Sequence, residues 1–467
     1  MNGESAANVQ VAVKPVFVQL LHSNAYEGPC RVGSPEDLDP KKEKPRGEEQ
    51  FAQWTKQVEN ELSDEARMLE PVKIEWTDDW HLSEEEIGKL DKDISEVDLF
   101  LIQGGLSQYP AISIGRRYEK PVAMVGTVVT VDVSAHLRAR GLEGFAPLDY
   151  GELNDLISLL RIRKSFQNTK ILHAFESEIV PVGVVSTIYD MEDLYNRFGV
   201  QHHGMPAGHL MNQMKNLSDD SKKQAEQLTD ELIEGAEECH MEREDLLPSV
   251  EFYVAVKEEM KKRECNAFAI PCFELCARQV PAETKVGFCL AHTLLKDEGC
   301  ASACEDDMNV LMSMAALMYT SGKSSYMGNS SLVSKEDNII RVGHDVPGLR
   351  MNGFDAEALP YTITPFTQGG WGGTIRYDFA RDTGQPVTLA RFNPNATRLL
   401  VATGEVTGGG GVDTVGCSLS ANFKVNDAVE LFHAEQDFGH HLAMVYGDYS
   451  EQLHELEQVM DIEILEI

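Results

Sequence analysis

Over its first two thirds the chain alternates short apolar runs, rich in β-branched residues, with amphipathic helical stretches. That alternation restricts the fold more than any other feature, because the two hydrophobic periods demand different partners. Val16 to Leu21 (VFVQLL) reads as an opening strand, Asp98 to Ile102 (DLFLI) as another ending at Gly104-Gly105, and Pro121 to Val125 as a third. Leu153 to Phe166 has a helical period, and Glu178 to Ser186 (EIVPVGVVS) opens a new strand-rich stretch. Helices are expected near Lys222 to Glu242 and Val250 to Arg263, and a buried strand over Ala267 to Phe273 (AFAIPCF). Val310 to Tyr319 is a buried Met-rich helix stopped by Gly322, its methionines reading as core packing. Strands interleaved with helices imply parallel, doubly wound α/β sheets.

After Gly343 the texture changes. Glycine and threonine become frequent, and Tyr361 to Thr364, Gly373 to Tyr377, Pro386 to Phe392 and Arg398 to Gly404 read as antiparallel strands. Gly408 to Gly411 is expected to be a flexible turn, since no strand–loop–helix unit of dinucleotide-binding type surrounds it. A strand over Leu442 to Gly447 and a helix over Tyr449 to Met460 close the chain. At 467 residues several domains are expected: α/β domains over residues 1–176 and 177–342, then a β-barrel-like domain over 343–467.

A formal net charge of −35 argues against nucleic acid or an anionic membrane surface as partner. No apolar run reaches the ~20 residues that span a bilayer, and the polar start, MNGESAANVQ, does not read as a signal peptide, so a cytoplasmic location is expected. Nine cysteines suggest no disulfide framework; Cys272/Cys276 and Cys300/Cys304 read as buried free thiols.

Three places carry candidate chemistry. Glu274 ends an apolar strand, where parallel sheets gather their ligand sites, although a turn or surface charge explains it equally. Glu305-Asp306-Asp307 precede a buried helix. Helix capping explains one of these acids, but three together repel one another unless a cation is present. Gly439-His440-His441 enters the last strand, where adjacent side chains point to opposite faces, so at most one of the two histidines is expected to be a ligand. His202-His203 has no partner identifiable from sequence.

Taken in order, these segments resemble the L-fucose and L-arabinose isomerases. Ala303 to Asn329 (ACEDDMNVLMSMAALMYTSGKSSYMGN) is similar to the family's metal-site segment, and His441 to Gly447 (HLAMVYG) to its metal-binding histidine and following glycine. Ala267 to Glu274 resembles the strand that supplies a second carboxylate, and His292 to Gly299 (HTLLKDEG) the connection between the two. The resemblance implies Glu305, Asn329 and His441 as ligands of Mn²⁺ or another divalent cation, with Glu305 and Glu274 as the catalytic pair. It also implies His344 near the sugar; Trp371, as an aromatic able to lie over a sugar ring, and Asp307, as a reserve acid, are the further candidates for that role. His344 reads equally as structural, and Trp371, set between glycine pairs, as a packed hairpin residue. Fucose isomerases have an Asp where this chain has Asn329, whose amide can coordinate but cannot carry a proton.

The implied protein is a metal-dependent aldose–ketose isomerase of a pentose or deoxyhexose-type sugar, working through a cis-enediol. By the same resemblance it is a homotrimer or homohexamer with its site in a cleft completed by a neighbouring subunit. The alternatives are a sugar-binding or regulatory homologue without turnover, and a metal-dependent epimerase or lyase acting on a modified sugar.

Overall fold

The structure is a computed structural model that describes residues 5–24, 39–176 and 181–467. It is mixed α/β with parallel sheets and divides into two compact units. One unit is residues 9–161; the other is residues 162–467 with residues 1–8. The division falls inside the helix Tyr150–Gln167, and the sequence regions 177–342 and 343–467 fold together in the second unit.

Residues 9–161 form a parallel sheet around the strand Val11–Leu21, flanked by Ala66–Met68 and Val72–Thr77 on one side and Leu99–Gly104 on the other. Val122–Ala123 and Gly144–Phe145 extend it beyond Leu99–Gly104. Val16, Val18, Phe100, Ile102, Ile114 and Val122 are among its buried core residues. Gly104 has a positive φ of 135°, and a Cβ there would fall 1.9 Å from the Val18 carbonyl oxygen, so only glycine fits this strand end.

The second unit holds a four-stranded parallel sheet in the order Ser302–Ala303, Ala267–Ala269, Lys170–Phe175, Gln201–Pro206. Beside it in sequence is a seven-stranded sheet running Pro386–Phe392, His441–Tyr446, Tyr326–Ser334, Ile339–Gly343, Ser420–Val425, Arg398–Gly410 and Glu463–Glu466. Pro386–Phe392 pairs with both His441–Tyr446 and Arg398–Gly410, so the hydrogen-bonded path returns on itself. The helix Met308–Ser321 packs against this sheet and is buried from Met308 through Tyr319, as a segment apolar on every face must be. Gly322, left-handed at φ 65°, ends it where the sequence places the stop. Among the described residues no helix is long and apolar enough to cross a membrane.

Several local expectations are corrected. Of the strand expected over 178–186, residues 178–180 lie outside the described residues, and 181–186 form an irregular loop. The charged helix ends at Gly235, and Glu238–Cys239 then pairs with Thr362–Pro365. The strand begun at Ala267 stops at Ala269, because Pro271 has no N–H to donate and Cys272–Ala277 turns into a helix. Gly408 to Gly410 belong to the strand Arg398–Gly410. A Cβ on Gly409 would sit 2.9 Å from both Phe379 Cβ and the Ser420 carbonyl, so glycine serves close packing there. Cys272 and Cys304 are joined in a disulfide, Cα to Cα 6.2 Å, where free thiols were expected.

Lys296, fully buried on the helix Cys289–Asp297, donates its ammonium to the Val346 carbonyl. Burial pulls its pKa down to about 7, against the opposing pull of Asp297. Above that value the unfolded chain, with an ordinary lysine, holds the extra proton, so stability rises with pH. Urea unfolding between about pH 7 and 8, where ordinary thiols are still mostly protonated, is expected to show this rise, at most about 1.4 kcal/mol per pH unit. Lys296→Met is expected to flatten it; an unchanged slope in the variant would acquit Lys296.

Candidate metal centre and active site

The carboxyl ends of the parallel strands assemble the site. Ala269 lies opposite His173 on one side and Ala303 on the other, so two strands end level with His173, two residues before the end of the third. From these ends the chain presents His173, then Glu274 on the short helix Cys272–Ala277, then Glu305, Asp306 and Asp307. The Cys272–Cys304 disulfide ties the two acid-bearing segments together.

Glu305 and Asp306 both have left-handed backbones, φ 59° and 57°. This conformation costs on the order of 1–3 kcal/mol for each non-glycine residue and is concentrated at functional sites. Its effect is to send three consecutive acids to three different partners. Asp306 meets His173 Nε2 at 2.9 Å. Burial raises the Asp306 pKa, and neighbouring Glu274 and Asp307 add to the rise. Asp307 is fully buried, caps the following helix by accepting from the Val310 N–H at 3.2 Å, and meets Arg391 Nη1 at 2.8 Å. The repulsion expected among the three acids is therefore answered largely by the protein's own cations and donors.

Asp307 also fixes His441. Its Oδ2 lies 2.8 Å from His441 Nδ1, which leaves Nε2 as the free nitrogen. Burial works to raise the Asp307 pKa, but Arg391 and His441 outweigh it and hold the carboxyl well below the usual carboxylate range. Burial lowers the His441 pKa, so its imidazole is neutral at neutral pH. His441 is fully buried, yet Nε2 has no hydrogen-bond partner and faces Glu305 Oε2 at 3.8 Å. A carboxylate–histidine pair with the second nitrogen left open is the arrangement of metal-binding histidines.

Glu305 sits 13% exposed, its Oε1 3.1 Å from Nε2 of the fully buried His344. Burial pushes its pKa up, but the hydrogen bond from His344, with the pull that His344, His441 and His440 exert when protonated, takes it below the ordinary value. The carboxylate is ionised near neutrality. Glu305, His440 and His441 each offer one ligand atom, all within 4.8 Å of one another. One carboxylate and two imidazoles suit a divalent transition-metal ion, and the open Nε2 of His441 fits that use.

The structure brings His440 as well as His441 close to Glu305, where at most one ligand was expected from the pair. The strand begins at His441, so its alternation of faces does not extend to His440, which follows Gly439 at φ 100°. The two rings lie 4.4 Å apart. Asp307, expected near the sugar, is instead a buried support for His441. Asn329 is exposed and lies opposite His441 in the strand register. Glu274 accepts from the Val182 N–H through Oε1, while its buried Oε2 has no partner. Trp371 is half-buried within its own hairpin, its carbonyl accepting from Thr367.

The loop from Val182 to Thr187 is pinned to these residues. Thr187 Oγ1 donates to the Asp306 carbonyl and accepts from the Met308 N–H, and Ser186 Oγ accepts from Arg391. A Cβ on Gly183 would come 3.0 Å from Glu305 Oε2. Sequence reasoning missed His173, Arg391 and this loop. The signal for Arg391 was available: a lone guanidinium inside the apolar run of Pro386–Phe392 must have a buried partner.

No family model matches the chain. Over 317 residues it is 23% identical to the sulfoquinovose isomerases of Priestia aryabhattai and Priestia megaterium. The match covers 66% of this chain and 66% of each relative, so the chain spans just under two thirds of the length of those proteins. What it resembles, at this distance, is a sugar isomerase.

Proposed function

We propose that the chain is a metal-dependent aldose–ketose isomerase acting on a pentose or deoxyhexose-type sugar through a cis-enediol. The observation that carries this reading is the convergence of Glu305, His440 and His441, with the open Nε2 of His441 facing the Glu305 carboxylate. The name of the relatives it resembles supports the same reaction class.

In this reading Glu305, His440 and His441 hold the ion, and Asn329, opposite His441 in the ladder, adds an amide oxygen. A bound Mn²⁺ or similar cation supplies positive charge for the two adjacent sugar oxygens that gain negative charge as the enediol forms. Glu305, kept ionised by its histidine neighbours, accepts the C2 proton. Glu274 offers the free Oε2 for proton exchange at C1, while its Oε1 is held by the Val182 N–H. Asp307 and His344 orient His441 and Glu305. A homotrimer or homohexamer in the cytoplasm goes with this reading.

Asn329 favours a second reading, a sugar-binding homologue without turnover, because an amide replaces an acid there. One experiment decides between them. The metal-loaded wild type in deuterium oxide is expected to exchange the C2 proton of an aldose substrate. Glu305→Gln is expected to lose that exchange by at least ~100-fold. Unchanged exchange in the variant removes Glu305 from the mechanism, and no exchange in the wild type with any aldose leaves the binding protein.

A further inference from the structure

The two carboxylates of the proposed proton exchange each stand beside one sulfur of the disulfide. Cys272 lies two residues before Glu274, and Cys304 immediately before Glu305. They meet because Ala267–Ala269 and Ser302–Ala303 are neighbouring parallel strands that run out at the same edge of the sheet. A cavity of about 100 Å³ beside Glu305 has five of the chain's nine cysteines in its walls: this pair, with Cys276, Cys289 and Cys417. The last three are free. Burial pushes the Cys276 thiol, on the bridge's own helix, up to about 11, and the Cys289 thiol well above its ordinary value. The thiolate is the form that attacks a disulfide, so neither of these neighbours opens the bridge near neutral pH.

The two ends of the bridge are held unequally. The Glu305 turn has other fastenings: the Asp306 N–H donates to the Ile270 carbonyl at 3.0 Å, the Thr187 hydroxyl donates to the Asp306 carbonyl at 3.1 Å, and Asp307 is bound to Arg391 and His441. The helix Cys272–Ala277 is six residues long, follows Pro271 and has no side-chain cap. A helix that short does not hold itself together and depends on what it is fastened to. Only Cys272 and Leu275 of it are buried, and Phe273 is 49% exposed. The tie from the Val182 N–H to Glu274 starts on an exposed residue. Opening the bridge therefore loosens Glu274 and leaves Glu305, His440 and His441 in place.

Resting on the isomerase reading, we infer that Cys272–Cys304 is a reversible thiol–disulfide switch of that site: bridged, it holds Glu274 against the Glu305 turn and the enzyme turns over; reduced by a dithiol, it releases Glu274 while the metal site stays whole. In the reducing cytoplasm that goes with the proposed function, a disulfide is as a rule transient, catalytic or redox-sensing and not a structural staple. Cys272 is the outer partner, 8% exposed against 0% for Cys304. A thiolate of the dithiol bonds to Cys272 Sγ, the bond to Cys304 breaks, and Cys304 leaves as a thiolate that takes up a proton. The second thiol of the reductant then closes the reductant's own disulfide, and Cys272 leaves and is protonated in turn. Two electrons pass from dithiol to bridge. Glutathione disulfide runs the exchange backwards, restoring the bridge and leaving two molecules of reduced glutathione.

The test takes the full chain reduced with dithiothreitol, or then reoxidised with glutathione disulfide, frees it of reagent, loads it with manganese and measures aldose turnover. Reduction is expected to lower kcat at least about 10-fold, because a displaced catalytic group costs that much or more, and reoxidation to restore it. Manganese affinity is expected to change by less than about 2-fold, which separates loss of Glu274 from loss of the ion. Cys272→Ser is expected to behave as the reduced wild type in every condition, and Cys276→Ser, altered in the same cavity, to respond as the wild type does. Hydrogen exchange over residues 272–277 is expected to quicken at least about 10-fold on reduction, and that over 308–321 to stay as it was. The same kcat in both states, a Cys272→Ser variant that still responds to dithiothreitol, or nine free thiols after glutathione disulfide overturns the switch while isomerisation stands. If no aldose turns over in either state, the isomerase reading falls by itself and hydrogen exchange decides the bridge: faster exchange confined to 272–277 upholds the release, and unchanged exchange removes it.

Discussion

Replacing Arg391 with methionine is expected to destabilise the 162–467 unit by about 3–5 kcal/mol, the cost of stranding one partner of a buried ion pair. Arg391 and Asp307 are both fully buried. The guanidinium also donates to the Phe438 carbonyl at 2.6 Å and the His441 carbonyl at 2.9 Å, so its loss leaves a charge and two carbonyls unpaired. Methionine keeps much of the volume, which makes the lost charge, and not a cavity, the main change. Adding Asp307→Asn should restore part of the loss, and the four urea midpoints form a double-mutant cycle that isolates the pair. The pH dependence has a definite sign. A carboxyl held below its ordinary pKa of 3.8 stabilises the protein above that value, and the benefit is lost as pH falls through the folded pKa. Without Arg391 the Asp307 pKa rises, so acid unfolding should begin at higher pH. A single variant within about 1 kcal/mol of wild type would show that the pair does not hold this part of the unit together.

The sequence disclosed what is local and lost what is topological. The helix Met308–Ser321 and its stop at Gly322 were legible because an apolar run and a left-handed cap are properties of neighbouring residues. Glu305 and His441 were legible as separate candidates, but only the family resemblance put them in one site, because they meet through strand pairings far apart in sequence, Tyr326–Ser334 against His441–Tyr446. His440 was set aside by the rule of alternating faces, which does not apply one residue before the strand starts. Asp307 was expected near the sugar and is found buried against His441; a capping acid and a ligand-facing acid look alike until burial is known. Cys272 and Cys304, 32 residues apart, meet because their strands are neighbours in a parallel sheet, and no local spacing announces that. The turn at Glu305 and Asp306 shows why the run of acids was legible as a site but not as an arrangement. Consecutive positive φ values point each carboxyl elsewhere, and the left-handed conformation of ordinary residues leaves no mark in sequence.

Manganese is expected to raise the unfolding temperature of the wild type, and His441→Ala to abolish the rise. A ligand that binds only the folded state stabilises it by about 2.7 kcal/mol when present at 100 times its dissociation constant. On the proposed reading, that binding depends on a neutral imidazole whose Nε2 is buried and without a partner, facing Glu305 Oε2 at 3.8 Å. Alanine removes one of three clustered donors, leaving Glu305 and His440. It also leaves Asp307 without its histidine, so the variant will be less stable before any metal is added. The diagnostic quantity is therefore the metal-induced shift in each protein, measured by calorimetry in chelator and then in excess manganese, and not the unfolding temperature itself. Asp307→Asn keeps an acceptor for Nδ1 but removes its charge, and should weaken manganese binding about 10-fold while retaining a measurable shift. The ordering of the three shifts carries the inference: large in the wild type, smaller in Asp307→Asn, absent in His441→Ala. A full shift in His441→Ala would place the ion elsewhere and dissolve the centre, whatever sugar the protein isomerises.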